Sequence, residues 1–238
     1  MDVTTHPRDA ATGLDPGPAW DPLAPSPAGF AAMADAAAAA GAQIVTIAAH
    51  PSTPASDAAA QQAGFRTSRE MLQLRLDLPV NSDAPGVTVR AFRPGLDDRQ
   101  WLDVNRRAFA WHPDQGSWTA DDLTQRLAEP WFDPEGFLIH DAGDVGTIDA
   151  FCWTKVHPAA SDEPAMGEIF VIAVDPDVHG KGLGRAMVVA GLSHLHTMGI
   201  TTSLLYVEHD NQAGRALYAS LGFREHERHR WYSRTLSG

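Results

Sequence analysis

Gly180, Gly182 and Gly184 recur at alternate positions in the segment Gly167 to Met187, GEIFVIAVDPDVHGKGLGRAM, which runs from an apolar strand through a turn into a helix. Without a Cβ at these positions the backbone can curl tightly and aim successive N–H groups into one concavity, at the positive end of the helix that starts there. The turn His179 to Arg185 contains no acidic residue to repel an anion. Its chemistry is that of a phosphate cradle, and the expected ligand group is a pyrophosphate. A Walker loop would end in Gly-Lys-Ser/Thr, and a Rossmann fingerprint would place its glycines after the first strand of a βαβ unit, so neither applies. An ordinary glycine-rich turn between strand and helix has the same composition, and the rest of the chain has to decide.

The turn HGKGLG, preceded by VDPDV, resembles the acetyl-coenzyme A loop of the GCN5-related N-acetyltransferases, whose usual form is Gln/Arg-x-x-Gly-x-Gly/Ala; His179 stands where Gln or Arg is usual. The segment NQAGRALYASLGF resembles the family's final cofactor-binding motif. The resemblance implies acetyl-CoA as co-substrate, no metal, and a loop in which His179, Gly180, Lys181, Gly182, Leu183, Gly184 and Arg185 hold the pyrophosphate, mostly through backbone amides. It extends cofactor contact to Asn211, Gln212, Ala213, Gly214, Arg215 and Ala216, with Asn211 also suited to cap a helix.

Moving an acetyl group from a thioester to an amine requires a polarised carbonyl, an uncharged amine and a proton for the departing thiolate. Backbone N–H groups of Ile172, Ala173 and Val174, on the strand before the loop, can bond the pantetheine arm and the thioester oxygen. Glu168 begins that strand, and its motif position makes it the expected general base, acting directly or through a water; the plainer reading is a surface residue at a strand start. Tyr218 stands where a tyrosine of the family often faces the coenzyme sulfur, and its phenol suits proton donation to a thiolate. The competing reading for Tyr218 is a core aromatic before Gly222 and Phe223.

RRAFAWHPDQGSWT, EPWFDPEGF, FCWTKVHP, GEIFVIAVDP and LLYVEHDN together resemble the C-terminal, catalytic domain of the mycothiol synthase family, which has two tandem acetyltransferase domains. That resemblance covers residues 87–235 well and 28–80 loosely. It implies acetylation of the cysteinyl amine of Cys-GlcN-Ins, with Asp114, Lys155, Tyr206 and Glu168 on the substrate side. A sugar and an inositol offer hydroxyls rather than apolar surface, so directed hydrogen bonds must recognise them. Asp114 replaces an expected glutamate, and can instead serve only a Pro-Asp turn; Lys155 can be a solvated strand residue. Trp111, Trp118, Trp131 and Trp153 are expected to wall the cleft or fill the core.

The elements that must position these residues follow from pattern. Residues 1–27, rich in proline, read as irregular. Helices are expected over 28–40 and 55–63, strands over 44–48 and within 65–78, and a linker over 77–86. The second region reads as a strand at 87–92, helices near 97–110 and 119–129, strands near 136–141, 147–157 and 168–174, a helix over 182–198, a strand at 203–207, a helix at 211–221 and a final strand or pair at 223–234. This α/β order matches the acetyltransferase fold, a mixed sheet whose central strands splay, over residues 87–235.

Gly41 to Phe65 aligns without a gap on Gly199 to Phe223, 158 positions on, and each copy ends in Gly-Phe-Arg. Residues 28–80 therefore read as the degenerate back half of a second such domain, its front half missing by deletion or by a misplaced start. Carried upstream, the offset sets Pro22 against Gly180, Ala60 against Tyr218 and Ala10 against Glu168, so the first copy has neither cradle nor acid and base.

A formal net charge of −12 disfavours nucleic acid, and no apolar run is long enough to cross a bilayer. Nothing in MDVTTHPRDAATG resembles a signal peptide, so the expected location is the cytoplasm. Cys152, the only cysteine, sits in an apolar run and reads as an inert thiol, and the eleven histidines lack metal-ligand spacing. A small-molecule amine is the expected partner, and nothing fixes the oligomeric state. Two other readings stand beside the leading one: an acetyltransferase of another small-molecule or protein amine, and a CoA-binding protein without turnover.

Overall fold

The computed structural model describes residues 26–83, 86–112, 115–143, 147–160 and 163–236. The expectations for residues 1–25 lie outside them. In chain order the main elements are α1 (Pro27–Ala39), β1 (Ile44–Ala49), α2 (Pro54–Gln62), β2 (Arg66–Asp77), β3 (Arg90–Ala91), α3 (Asp98–Ala108), α4 (Ala120–Leu127), β4 (Phe137–Asp141), β5 (Ile148–His157), β6 (Met166–Val174), α5 (Leu183–Thr197), β7 (Thr202–Glu208), α6 (Gln212–Leu221) and β8 (Arg224–Thr235). Among the described residues no helix is long and apolar enough to cross a membrane. The chain divides into two compact units, and each is described by itself.

The unit that carries the glycine loop comprises Leu74–Val207 and Asn211–Arg224. Its strands lie in the order β7-β6-β5-β4-β3, antiparallel from β3 to β6 and parallel between β6 and β7, a mixed α/β sheet. The strand expected over 87–92 shrinks to Arg90–Ala91, extended by one further bond from the Phe92 N–H to the Phe137 carbonyl at 2.8 Å. Pro94 and Gly95, the latter at φ +80°, then turn the chain into α3. Ion pairs brace this short edge: Arg90 bonds both Asp97, at the start of α3, and Asp141, at the end of β4, each at 2.6 Å.

One face of this sheet carries an aromatic core. Phe92 stacks on Phe137 and Phe137 on Trp153, each at 4.2 Å, while Trp101 of α3 meets Phe137 edge-on at 5.6 Å. Trp118 and Trp131 pack against this cluster partly buried, whereas Trp111 is 53% exposed and does not fill this core. The opposite face receives α5, which approaches closely because glycines meet it: a Cβ on Gly191 would lie 2.5 Å from the Cys152 sulfur, and one on Gly167 2.6 Å from Leu195. Burial beneath that helix pushes the Cys152 thiol up to about 12, so it stays protonated and unreactive.

The other unit comprises described residues 26–73, Glu208–Asp210 and 225–236. Its core joins Phe30 and Met33 of α1, Val45 and Ile47 of β1, Ala59 of α2, Phe65 and Tyr232. Residues 223–234, expected with the second region as a strand or a pair, form one strand that groups here from Glu225 onward. It pairs antiparallel with β1, from Ile44 opposite Thr235 to Ala49 opposite Arg230. The Tyr232 hydroxyl donates to the Asp57 carboxylate at 2.5 Å, which satisfies the one polar atom that this ring takes into the core.

Candidate active site

β6 and β7 pair in parallel at Gly167 with Ser203 and at Glu168 with Leu204, and at no later position among the described residues. The strands part there, and from Ile169 to Val174 the β7 side of β6 has no ladder partner. On its other side β6 stays paired with β5, but the register slips between Trp153, opposite Val171, and Thr154, opposite Ile169. The extra residue, Phe170, makes a bulge that bends β6 and reorients it just beyond Glu168.

Every residue of β6 is buried, and Glu168 is 0% exposed. Its Oε2 lies 2.7 Å from Nε2 of His157, while its Oε1 is buried without a hydrogen-bond partner. Glu168 is therefore no surface residue at a strand start. Lys155 sits directly across β5 from it, with its ammonium 4.6 Å from the Trp131 ring centre and 5.6 Å from that of Phe170. Tyr206, 6% exposed, lies two residues past Leu204 on β7, and alternation puts it on the same face.

At the other end of β6 the chain turns through Pro176–Val178 and reaches α5. Gly180 and Gly182 adopt φ +82° and +78°, values that favour glycine, whereas Gly184 lies in the first turn of α5 with ordinary room for a Cβ. Gly182 caps α5 with no side-chain hydrogen bond and no acidic residue in the first turn, so the leading amides of the helix stay unfilled by side chains. Val174, His179, Gly180, Gly182, Leu183, Gly184, Arg185 and Ala213, with Val178 and Leu217, line a cavity of about 300 Å³. The His179 Nε2–H donates to the Val174 carbonyl at 2.9 Å, so the ring braces the loop against the strand end. Arg185 is held on α6 by Ser220 at 2.6 Å. Asp175, the acidic residue just before the turn, is paired with Arg107 of α3, which offsets a charge that would oppose an anion.

The other predicted positions are more scattered. Ile172 and Ala173 are buried along the unpaired stretch of β6, while Lys181, Gln212 and Ala216 are exposed and Arg215 half-buried. Asn211 caps α6 by accepting from the Gly214 N–H at 2.9 Å. Tyr218 is fully buried on α6, its ring 5.8 Å from that of Phe223. Asp114 lies outside the described residues; next to it, the Gln115 N–H donates to Nδ1 of His112 at 3.0 Å. His157 and Arg107 were not singled out in the sequence. The signal for His157 was present, since alternation along Lys155-Val156-His157 puts the Lys155 and His157 side chains on one face. No group of three His, Cys, Asp or Glu residues among those described is arranged to hold a metal.

The model of the Acetyltransferase (GNAT) family matches residues 100–223, from α3 to the residue after α6 and its cap. The chain belongs to this family. A mycothiol acetyltransferase of Geodermatophilus obscurus is 48% identical over 185 residues, 75% of this chain and 59% of that protein. The chain thus spans about three fifths of the length of the curated relatives it matches. Among solved structures, a GCN5-related N-acetyltransferase from Sphaerobacter thermophilus superposes with a TM-score of 0.62 at 20% identity, over 81% of this chain and 60% of that one. A tandem GNAT protein from the clavulanic acid biosynthesis pathway gives 0.59 at 18% identity, over 89% and 70%. Both likenesses concern the fold.

Proposed function

We propose that this chain transfers the acetyl group of acetyl-CoA to the cysteinyl amine of Cys-GlcN-Ins, forming mycothiol. The observation that carries the transfer chemistry is the parting of β6 from β7 immediately after Glu168, with a glycine-lined cavity where β6 ends. An extended pantetheine arm fits a strand edge that lacks a partner, with its pyrophosphate on the amides of His179 to Arg185 and its thioester near the amides of Ile172 to Val174. Glu168 takes the proton of the acceptor ammonium, and its buried, unpartnered oxygen suits that task. Tyr218 gives a proton to the departing thiolate. Asp114, Lys155 and Tyr206 bond the hydroxyls of the acceptor. The name shared by the relatives at 43–49% identity supports this acceptor.

We further propose that residues 28–80 are the back half of a second domain of the same kind, without a coenzyme site of its own. In support, β1, α2 and β2 start 158 positions before β7, α6 and β8, and β2 and β8 also end at that offset. The glycines Gly41 and Gly64 adopt positive φ as Gly199 and Gly222 do. At the start of α1, however, the Ser26 hydroxyl accepts from the Gly29 N–H at 3.1 Å and Pro27 has no N–H, so the amides that α5 leaves unfilled are here occupied or missing.

The test is turnover of acetyl-CoA with Cys-GlcN-Ins, with cysteine and with glucosamine, by wild type and Glu168→Gln. Wild type is expected to favour Cys-GlcN-Ins, and the variant to lose about 10²- to 10⁴-fold in kcat while it keeps its CoA affinity. Equal turnover of the three amines would favour an acetyltransferase of broader scope, and binding without product would remove the catalytic reading.

A further inference from the structure

The two oxygens of Glu168 have different surroundings. Oε2 is bonded to His157 Nε2, and Oε1 is buried with no partner, an arrangement that carries a desolvation penalty unless a ligand group completes it. His157 closes β5 opposite Met166, one pleat beyond Lys155, which lies opposite Glu168. The imidazole therefore reaches the carboxylate diagonally across the two strands, on one face of the sheet. Other charged and titratable groups share that face. Lys155 holds its ammonium over Trp131 and Phe170, Arg126 of α4 lies 5.7 Å from the ring centres of Trp118 and Phe170, and Tyr206 stands on β7. His157 is the hydrogen-bonding side chain that Glu168 has among the described residues.

Resting on the reading of Glu168 as general base, we infer that His157 is the positioning residue of that base: it holds Oε2 and so assigns Oε1 to the incoming amine. An ionised carboxylate only accepts, so Nε2 carries the proton of the 2.7 Å bond. The acceptor ammonium gives one proton to Oε1, Glu168 becomes a neutral acid, and the freed lone pair forms the C–N bond. Collapse of the adduct breaks the C–S bond, the thiolate takes the Tyr218 proton, and the second proton of the nitrogen restores the Tyr218 phenol. Throughout the transfer the His157 N–H keeps the carboxyl plane fixed, and Glu168 returns its proton to water once the product has left. The His157 side chain is 25% exposed, so the pair stays in touch with solvent.

His157→Leu keeps bulk without a donor, and His157→Gln keeps an N–H at similar reach. Steady-state rates over pH 6–9, with acetyl-CoA and Cys-GlcN-Ins, are expected to show kcat of the Leu variant lowered about 10- to 100-fold, the loss of one charge-assisted hydrogen bond to the reacting group. Its KM for acetyl-CoA stays within about twofold, since the coenzyme cavity is lined by other residues, and the acid limb of its pH–rate profile moves to higher pH, because a carboxylate without its donor holds a proton more tightly. His157→Gln recovers to within about fivefold of wild type. Should the Leu variant fail to fold, His157→Asn replaces it, with an amide too short to reach Oε2 and the same expected loss against Gln. Equal rates and pH profiles for wild type and the donor-free variant, or equal losses for Gln and Leu, overturn the inference. Glu168→Gln run alongside separates the two readings. If it alone is slow, the positioning role of His157 fails; if it is as fast as wild type, the base assignment fails and this inference with it.

Discussion

At Gly182 conformation and charge have separable effects. Its φ of +78° disfavours any L side chain, yet a Cβ there meets nothing within 4 Å. Gly182→Ala should therefore cost about 1–2 kcal/mol of stability through backbone strain, with no clash to relieve. Gly182→Asp should cost a similar amount in a thermal melt, but should also place a carboxylate beside the pyrophosphate and abolish detectable CoA binding by calorimetry. If Asp binds CoA no worse than Ala does, the phosphate assignment of the loop is wrong. His179 illustrates how far a residue can be read from sequence. Its place in the loop was legible because the glycine spacing is local. Its bond to the Val174 carbonyl was not, since that depends on how the Pro176–Val178 turn folds back on the strand end.

Asp97 binds the N-terminus of α3 to the sheet edge. Burial pushes its carboxyl up, but hydrogen bonds from the Arg93 and Arg90 guanidinium groups outweigh this and hold it at about 2. A carboxylate whose folded value is depressed adds stability above its unfolded value, near 3.9, and loses it as pH falls towards the folded one. The network should therefore contribute on the order of 2 kcal/mol at neutral pH, fading between about pH 4 and pH 2. Asp97→Asn should lower the urea midpoint at pH 7 and show a smaller further loss at pH 3 than wild type does; parallel losses would mean that the pair is inert. The elements themselves were legible wherever a period was long enough to detect: α5, β6 and β7 fall within two residues of the pattern that predicts them. β3 was overestimated, because apolar alternation over 87–92 does not say that Pro94 and Gly95 turn the chain away. The bulge at Phe170 was illegible too, since it arises from the register between two strands and leaves no mark on either one.

Over the whole chain, the 158-residue offset seen in Gly-Phe-Arg recurs in element boundaries and in glycine conformations, which supports the duplication proposed above. The grouping of β8 with the first region was not legible in the sequence, because nothing in a strand's own residues names its neighbour. With Ser26 and Pro27 at the start of α1 in place of open amides, titration with CoA should give one site per chain; a second site of comparable affinity would restore a cradle to the first copy. The parting of β6 from β7 has a further consequence. It puts a sheet edge in the interior of the fold, where an edge is normally a hazard that draws in another chain. Here the strand is recessed and buried, so only a slender, extended guest can pair with it. Those amides between Ile172 and Val174 that face the gap, and not the β5 ladder, should accordingly exchange with deuterium faster than the paired ones while the gap is open, and slow by an order of magnitude or more once coenzyme A lies along it, as though a strand had been added to the sheet.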